Sequence, residues 1–269
     1  MRLFVKLAIL GLLLNFSAAC FAEKIVIEGS TTVLPIAQRA AEVFMESRPD
    51  VDISVRGGGS SVGIASLLDK ACDIADASRA IKDKELDKAV ANGVNPVAHV
   101  VAMDGIAVIV HPSNKINALS KTQIKAIFTG AISDWSKVGG SPGKIVVISR
   151  DSSSGTFEAF GALVLDGQKT RADALMQASN QAVAATVART PGAIGYVGLG
   201  YLTSSVKALE VDGVKCSKET VLTGKYPISR PLFMYTNGQP KGAVKDFIEF
   251  VKSPAGQKLA ETDGFVGLR

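Results

Sequence analysis

Short apolar runs alternate with stretches of helical periodicity along most of this chain. Residues 24–28, 51–56 and 145–148 are apolar or alternate between apolar and polar side chains, which is typical of strands. Each run leads into a loop rich in Gly, Ser or Thr, and then into apolar residues at helical spacing, such as Phe157 and Phe160. This alternation of strand and helix patterns predicts an α/β fold with largely parallel sheets.

Other segments carry clear start and stop signals. Ser120 and Gln123 form a capping box that predicts a helix through Phe128. A Pro-Gly pair at 191–192 ends a second predicted helix over 180–189. Similar patterns predict a short strand within 71–79, strands over 96–103 and 105–110 with a break near Asp104, strands over 193–197 and 230–235, and helices over 243–251 and from 253 onward.

Three of the predicted helices begin in hydroxyl-rich loops, at 29–32, 57–61 and 150–156. A helix start directs unpaired backbone N–H groups and the positive end of the helix dipole toward one point. A single start of this kind is ordinary N-capping. Three of them, one led by Arg150, predict an oxyanion-binding site.

The first 22 residues differ from the rest of the chain. Two basic residues precede an apolar run at 7–14 and then small residues, which is the pattern of a secretory signal peptide over 1–22. We expect cleavage after Ala22; a lipoprotein signal with Cys20 as the acylated residue stays open as the alternative. The apolar run is too short for a stable membrane span, so the chain is predicted to be exported.

Composition and charge exclude several classes of protein. The 269 residues are 47% hydrophobic and 20% charged, a globular composition sufficient for one large domain or two small lobes. Without 1–22, 28 basic residues face 25 acidic ones and are scattered among them, so no nucleic-acid partner is expected. Cys and His show no metal-ligand spacing, and whether Cys72 and Cys216 pair stays open.

Several motifs resemble those of the phosphate-binding proteins of bacterial phosphate ABC importers. The matching segments lie at 29–35, 58–63, 73–79, 119–135, 150–156 and 192–196, and the resemblance covers essentially the whole chain after the signal segment. It implies a two-lobed periplasmic-binding-protein fold of type II, α/β in class, with the ligand cleft between the lobes. Lobe 1 would then contain 23–103 and 228–269, and lobe 2 would contain 104–227.

The same resemblance implies a binding protein that needs no cofactor and is not an enzyme. Inorganic phosphate would bind in the cleft in the periplasm, and the lobes would close on it by a hinge motion. The protein, expected to be a monomer, would deliver phosphate to the transmembrane subunits of an ABC permease for import.

The resemblance gives ten candidate ligand positions, and residues 30–32 are all included because the first loop matches the family only to within one residue. The ten positions are Ser30, Thr31, Thr32, Ser60, Ser78, Arg79, Arg150, Ser154, Gly155 and Thr156. Arg150 would make a charge-assisted contact, and the hydroxyls would donate or accept as needed. For Arg79, a contact with the ligand and an ion pair with an acid such as Asp76 both stay open. Asp151 would either orient Arg150 or serve as a turn and capping residue.

One position departs from the family pattern. Well-known members of the family place a carboxylate where this chain, like a set of relatives, has Ser78, and that carboxylate accepts a proton that phosphate offers and sulfate lacks. Asp76 lies two residues away and would replace it only if the backbone turned it toward the ligand. Selectivity therefore stays open, and a receptor for another tetrahedral oxyanion, such as sulfate or molybdate, is the alternative.

An enzymatic alternative rests on the segment 59–63, which fits the G-x-S-x-G nucleophile elbow with Ser61 as the nucleophile. A serine hydrolase also requires a histidine that follows an acid. Only His99 and His111 are present, and both fall in or beside apolar strand patterns. The residues therefore favour a binding protein over a serine hydrolase.

Overall fold

The computed structural model of the chain describes residues 22–268. The predicted signal peptide, apart from its last residue, and the candidate acylation site Cys20 lie outside this range. Across the described range, no helix has both the length and the apolar character that a membrane crossing requires.

Within the described residues, eleven strands alternate with nine α-helices. The strands are β1 (Glu23–Gly29), β2 (Val51–Gly57), β3 (Ile74–Ala77), β4 (Pro96–Val110), β5 (Ala118–Leu119), β6 (Val146–Arg150), β7 (Leu175–Gln177), β8 (Ala193–Gly198), β9 (Lys207–Ala208), β10 (Glu210–Val211) and β11 (Ser229–Asn237). The helices are α1 (Leu34–Ser47), α2 (Ser60–Leu68), α3 (Asp83–Ala91), α4 (Lys121–Thr129), α5 (Gly155–Leu163), α6 (Asn180–Arg189), α7 (Lys218–Leu222), α8 (Gly242–Lys252) and α9 (Pro254–Thr262).

Several of these elements form where local signals predicted them. The Ser120 hydroxyl accepts a hydrogen bond from the backbone N–H of Gln123 at the start of α4, and Gly130 ends the helix at φ 94°. Helix α6 has the predicted bounds. Pro35 and Pro254 lie in the first turns of α1 and α9, where a missing N–H costs no helical hydrogen bond.

One large sheet runs through the molecule in the strand order β2-β1-β3-β11-β4-β8-β6-β7, and β9 also pairs with β4. The pairings are parallel on both sides, among β1, β2 and β3 and among β6, β7 and β8. They are antiparallel in the middle, where β4 and β11 lie. The prediction of largely parallel sheets is therefore right for the two outer parts and wrong for the middle.

Strand β4 is continuous over 15 residues, so the predicted break near Asp104 is wrong. Its residues 96–105 pair with β11, and its residues 106–110 pair with β8. The Asp104 side chain is buried in the middle of the strand because it forms an ion pair with Arg230 of the neighbouring strand. A polar residue inside an apolar run thus marks a change of strand partner and not the end of a strand.

Buried hydrophobic side chains form separate clusters on the two sides of this point. One cluster contains residues from 106–228 together with Val266, and the other two contain residues from 25–102 and 232–265. The molecule is thus a two-lobed α/β protein, as predicted. We call the part built on β1, β2 and β3 the first lobe and the part built on β6, β7 and β8 the second lobe. Cys72 and Cys216 are both buried and unpaired, in clusters of different lobes.

Candidate functional site

The loops before α1, α2 and α5 meet where the two lobes face each other. Thr32 of the first lobe lies with its hydroxyl oxygen 2.9 Å from that of Thr156 in the second lobe. The backbone N–H of Ser61 donates to the carbonyl of Ser153 across the same boundary, at 3.0 Å. The three helix starts that the sequence singled out therefore converge on one region.

Ser60, Ser78 and Gly155 form one side of this region. The Ser60 hydroxyl accepts from the backbone N–H of Ser78 at 3.0 Å, and the two hydroxyl oxygens are 3.3 Å apart. A Cβ atom on Gly155 would lie 2.3 Å from the Ser60 oxygen and 2.8 Å from the Ser78 oxygen. The close approach of the two lobes at this point thus depends on glycine.

Thr31, Thr32 and Thr156 form the other side, together with two residues that the sequence analysis did not select. Asn180 donates from its amide nitrogen to the hydroxyls of Thr31 and Thr32, at 3.2 and 3.0 Å. Arg230 donates to the hydroxyl of Thr156 at 2.9 Å. All five side chains are buried, so this network lies in a region from which water is largely excluded.

Arg150 is a buried cation, with 1% of its surface exposed. Its Nε donates to the carbonyl of Gln177 at 3.0 Å and its Nη2 to the carbonyl of Ala178 at 2.9 Å, which places it beside the loop that leads to Asn180. Burial lowers the pKa of its guanidinium. Among residues 22–268 no carboxylate forms an ion pair with it. A buried charge without a partner is costly, and a bound anion would supply that partner.

The start of α5 supplies backbone donors to the same region. Gly155 and Thr156 are its first two residues, so their N–H groups have no acceptor within the helix. Ser154 is the N-cap, and its hydroxyl accepts from the backbone N–H of Phe157 at 3.2 Å. Ser30 has a similar role before α1, where its hydroxyl accepts from the N–H of Thr32 at 3.1 Å. These contacts hold the loops in the shape that leaves donors free for an anion.

Arg79 differs from the other nine predicted positions because acids and backbone already occupy its guanidinium. It makes two hydrogen bonds of 2.8 Å to the carboxylate of Glu85. Its Nε lies 2.8 Å from the carboxylate of Glu158 in the second lobe. The remaining N–H groups donate to the Ser61 hydroxyl and the Ala80 carbonyl. Of the two alternatives left open, the structure has the ion pair, but with Glu85 and Glu158 in place of Asp76.

Asp76 is fully buried in β3, and neither oxygen of its carboxylate has a hydrogen-bond partner among the described residues. Burial raises the pKa of this carboxyl well above its ordinary value, because water no longer solvates the charged form. Its backbone carbonyl accepts from the N–H of Ser30 at 2.8 Å. Asp76 therefore does not bond to Ser60 or Ser78 in this arrangement.

The ion pair between Asp104 and Arg230 lies at the point where β4 changes partner. An oxygen of Asp104 is 3.0 Å from Arg230 Nη2, and the other oxygen accepts from the N–H of Leu199 at 2.9 Å. Arg230 also donates to the carbonyl of Ser78 at 2.8 Å. Burial raises the pKa of the Asp104 carboxyl, although the charge of Arg230 opposes this shift. The pair therefore connects the crossing strands to both sides of the candidate site.

The serine-hydrolase alternative finds no triad among the described residues. The Ser61 hydroxyl donates to Glu158 at 3.2 Å and accepts from Arg79. The ring nitrogens of His99 and His111 instead contact Thr236 and Ser113. Asp151 has the turn role, since its carboxylate accepts from the backbone N–H of Ser153 at 2.8 Å.

Two α/β lobes joined by shared strands, with a buried cation and helix starts where the lobes meet, are the features of a substrate-binding protein of the periplasmic type. Residues 17–255 match the family model described as PBP superfamily domain. The phosphate-binding protein PstS of Bacillus subtilis is 39% identical over 241 residues, which cover 88% of this chain and 78% of that protein. PstS of Borreliella burgdorferi is 34% identical over 260 residues, covering 92% and 91% of the two chains.

A solved structure gives the same result. It is the crystal structure of a putative phosphate ABC transporter substrate-binding protein with bound phosphate from Clostridium perfringens. It is 33% identical, with a TM-score of 0.85, and the match covers 92% of this chain and all of the other. The chain belongs to the PstS family of phosphate-binding proteins, within the PBP superfamily. The predicted family and the two-lobed periplasmic-binding-protein fold are both confirmed.

Proposed function

We propose that this protein binds inorganic phosphate between its lobes and delivers it to an ABC permease for import. The observation that carries this proposal is the buried guanidinium of Arg150, which has no carboxylate partner within 22–268 and donates to the backbone just before Asn180, whose amide contacts the threonine hydroxyls of the site. Relatives named as phosphate-binding proteins and a solved relative with bound phosphate support it. The protein is a binding component and not an enzyme.

The proposed ligand set contains nine of the ten predicted positions. They are Ser30, Thr31, Thr32, Ser60, Ser78, Arg150, Ser154, Gly155 and Thr156. Arg150 supplies the charge, hydroxyls of this set and the helix N–H groups supply further donors, and no metal or organic cofactor is needed. Arg79 is left out of the set because its donors are engaged by Glu85, Glu158, Ser61 and Ala80.

We also propose that lobe 1 contains 23–103 and 228–269 and that lobe 2 contains 104–227. The division of the hydrophobic clusters near 102–106 and 228–232 supports these bounds. The lobes would open and close about the segment where β4 passes from β11 to β8, which lies beside Asp104 and Arg230. Phosphate would enter the open form and be enclosed by closure.

The cellular part of the proposal is a periplasmic receptor, exported by the signal peptide over 1–22, that works as a monomer. Its partner would be the transmembrane subunits of the permease, and no nucleic acid is involved. The family membership and the export pattern of the N-terminal segment support this placement.

Titration calorimetry of the ligand-stripped protein tests the proposal. We expect phosphate to bind, and Arg150→Ala to weaken binding by about 100-fold or more, because a charge-assisted contact in a buried site is lost. Arg39→Ala is the matched control, since Arg39 lies on the exposed face of α1 and should leave affinity unchanged. Equal phosphate affinity in wild type and Arg150→Ala would contradict the assignment of Arg150 to the binding site. Comparable sulfate binding would widen the ligand class to tetrahedral oxyanions.

A further inference from the structure

The threonine hydroxyls of the site belong to a hydrogen-bond network. Groups that can only donate determine which partner is the donor in each of its hydrogen bonds. The backbone N–H of Gly198 donates to the Asn180 side-chain oxygen at 3.2 Å. A backbone N–H cannot accept, so this contact fixes the amide with its oxygen toward Gly198 and its nitrogen toward the threonines. The two N–H groups of that nitrogen then donate to Thr31 and Thr32.

Arg230 is the second group of this kind, because a guanidinium has donors and no acceptor. Its Nη2 lies 2.9 Å from the Thr156 oxygen and 3.4 Å from the Thr32 oxygen, and Asp104 holds the same nitrogen at 3.0 Å. Thr32 therefore accepts from Asn180 and, more weakly, from Arg230. Its own hydrogen is left for Thr156, whose oxygen is 2.9 Å away.

Thr156 then accepts from both Arg230 and Thr32, which occupies both of its lone pairs. Because Thr32 already donates to it, Thr156 has no other acceptor for its own hydroxyl hydrogen in residues 22–268. We propose that Asn180 and Arg230 are positioning residues that make Thr156 present its O–H, and never a lone pair, to the bound anion. This inference rests on the proposed function and adds the form of ligand that the site selects, since the oxygen facing Thr156 must carry no proton.

The Ser60 and Ser78 pair on the opposite side is not directed in this way. Ser60 accepts from the backbone N–H of Ser78, but either hydroxyl of the pair can donate to the other across 3.3 Å. A hydroxyl that is free to turn can accept a proton as well as donate one. The site therefore has one side that requires a bare oxygen and one side that accommodates a protonated one.

Reversing the direction of the network tests the proposal. Asn180→Asp replaces the donating amide nitrogen with an acceptor of the same shape, so Thr32 would donate to the new carboxylate and Thr156 would donate to Thr32. A lone pair of Thr156 would then face the ligand. We expect phosphate affinity at about pH 8 to fall about 100-fold or more, and the loss to shrink at about pH 5.5, where phosphate carries an additional proton.

The negative charge that Asn180→Asp adds would also repel the anion. A double-mutant cycle separates this repulsion from the reversal of the Thr156 hydroxyl. In a Thr156→Val background there is no Thr156 hydroxyl to turn, so Asn180→Asp acts only through its charge and its contacts with Thr31 and Thr32. We expect the fold loss of phosphate affinity that Asn180→Asp causes there to be at least about tenfold smaller than in the wild-type background. Equal costs in the two backgrounds, or parallel pH profiles for all four proteins, would overturn the proposal.

Neutron diffraction of wild-type crystals grown with phosphate gives a second measurement that needs no variant to fold. We expect the deuterium on Thr156 to point at a ligand oxygen and the one on Thr32 to point at Thr156. Deuterium on Thr156 that points at Thr32 would overturn the assigned direction. Wild-type protein that binds neither phosphate nor sulfate in the titrations would instead contradict the proposed function.

Discussion

At the start of α5, the absence of a side chain at Gly155 allows the two lobes to approach closely. Gly155 has no positive φ and its conformation is available to other residues, so its backbone does not require glycine. The requirement comes from Ser60 and Ser78, whose hydroxyl oxygens occupy the space that a Cβ atom would take. The constraint exists only while the two lobes are together, because these serines belong to the other lobe.

Gly155→Ala should therefore weaken phosphate binding by about 10- to 100-fold, since closure would force a methyl group against two hydroxyl oxygens. Gly161→Ala in the same helix is the matched control. No atom lies within 4 Å of its added methyl group, and we expect it to raise the free energy of unfolding by about 0.5–1 kcal/mol without changing affinity. Calorimetric titration measures the affinity and urea unfolding measures the stability. Unchanged affinity in Gly155→Ala would show that the lobes approach less closely in the bound protein than they do in this structure.

Contacts between elements of different lobes extend beyond the ligand residues. Glu158 on α5 contacts Arg79 and Lys82, which lie after β3 in the first lobe, at 2.8 and 2.6 Å. Arg79 is also bound to Glu85 of α3, so the cluster connects two helices through one guanidinium. Its side chain is 7% exposed and that of Glu158 is 18% exposed, so solvent screens this contact less than an ordinary surface pair. The ion pairs of Glu158 with Arg79 and Lys82 require the two lobes to be together.

Glu158→Gln is expected to speed phosphate release by about 3- to 10-fold, because the closed form loses the ion pairs of Glu158 with Arg79 and Lys82 across the boundary between the lobes. Stopped-flow release measurements test this expectation. Glu249→Gln is the control, as its partner Lys245 lies on the same helix and its pair is exposed. Equal release rates in wild type and Glu158→Gln would mean that the cluster does not contribute to closure.

The elements themselves could be predicted because their signals are local. The capping box at Ser120 and Gln123 and the Pro-Gly pair after α6 act within a few residues, and both helices formed as expected. The roles of Asp104 and Arg79 depend on partners far away in the sequence, Arg230 and Glu158, and no local pattern identifies such partners. Asn180 was missed for a related reason, since after Ser179 it has the pattern of an ordinary helix start.

At the scale of the whole molecule, the buried carboxyl of Asp76 makes stability depend on pH. Its folded-state pKa is raised by burial, so the folded protein binds a proton that the unfolded chain releases. Stability from this group is therefore fully present below the unfolded pKa and is lost as pH rises toward the folded pKa, by up to about 1.4 kcal/mol per pH unit.

Asp76→Asn should consequently raise the free energy of unfolding at about pH 8, and the difference from wild type should shrink as pH falls toward about 4. Urea unfolding across this pH range measures both. Asp52→Asn on the exposed side of β2 serves as the control and should leave the pH profile unchanged. A difference that does not vary with pH would mean that Asp76 titrates alike in the folded and unfolded protein.

The two strands that cross between the lobes, β4 and β11, are also hydrogen-bonded to each other up to the pair Gly105 and Ser229. Two strands that are hydrogen-bonded to each other move as one unit, whereas two separate linkers would allow each lobe to rotate independently. The two lobes of the open form should therefore sample few relative orientations, so few are lost when the ligand binds. We therefore expect closure to lose little conformational entropy, so that more of the contact free energy is retained as affinity.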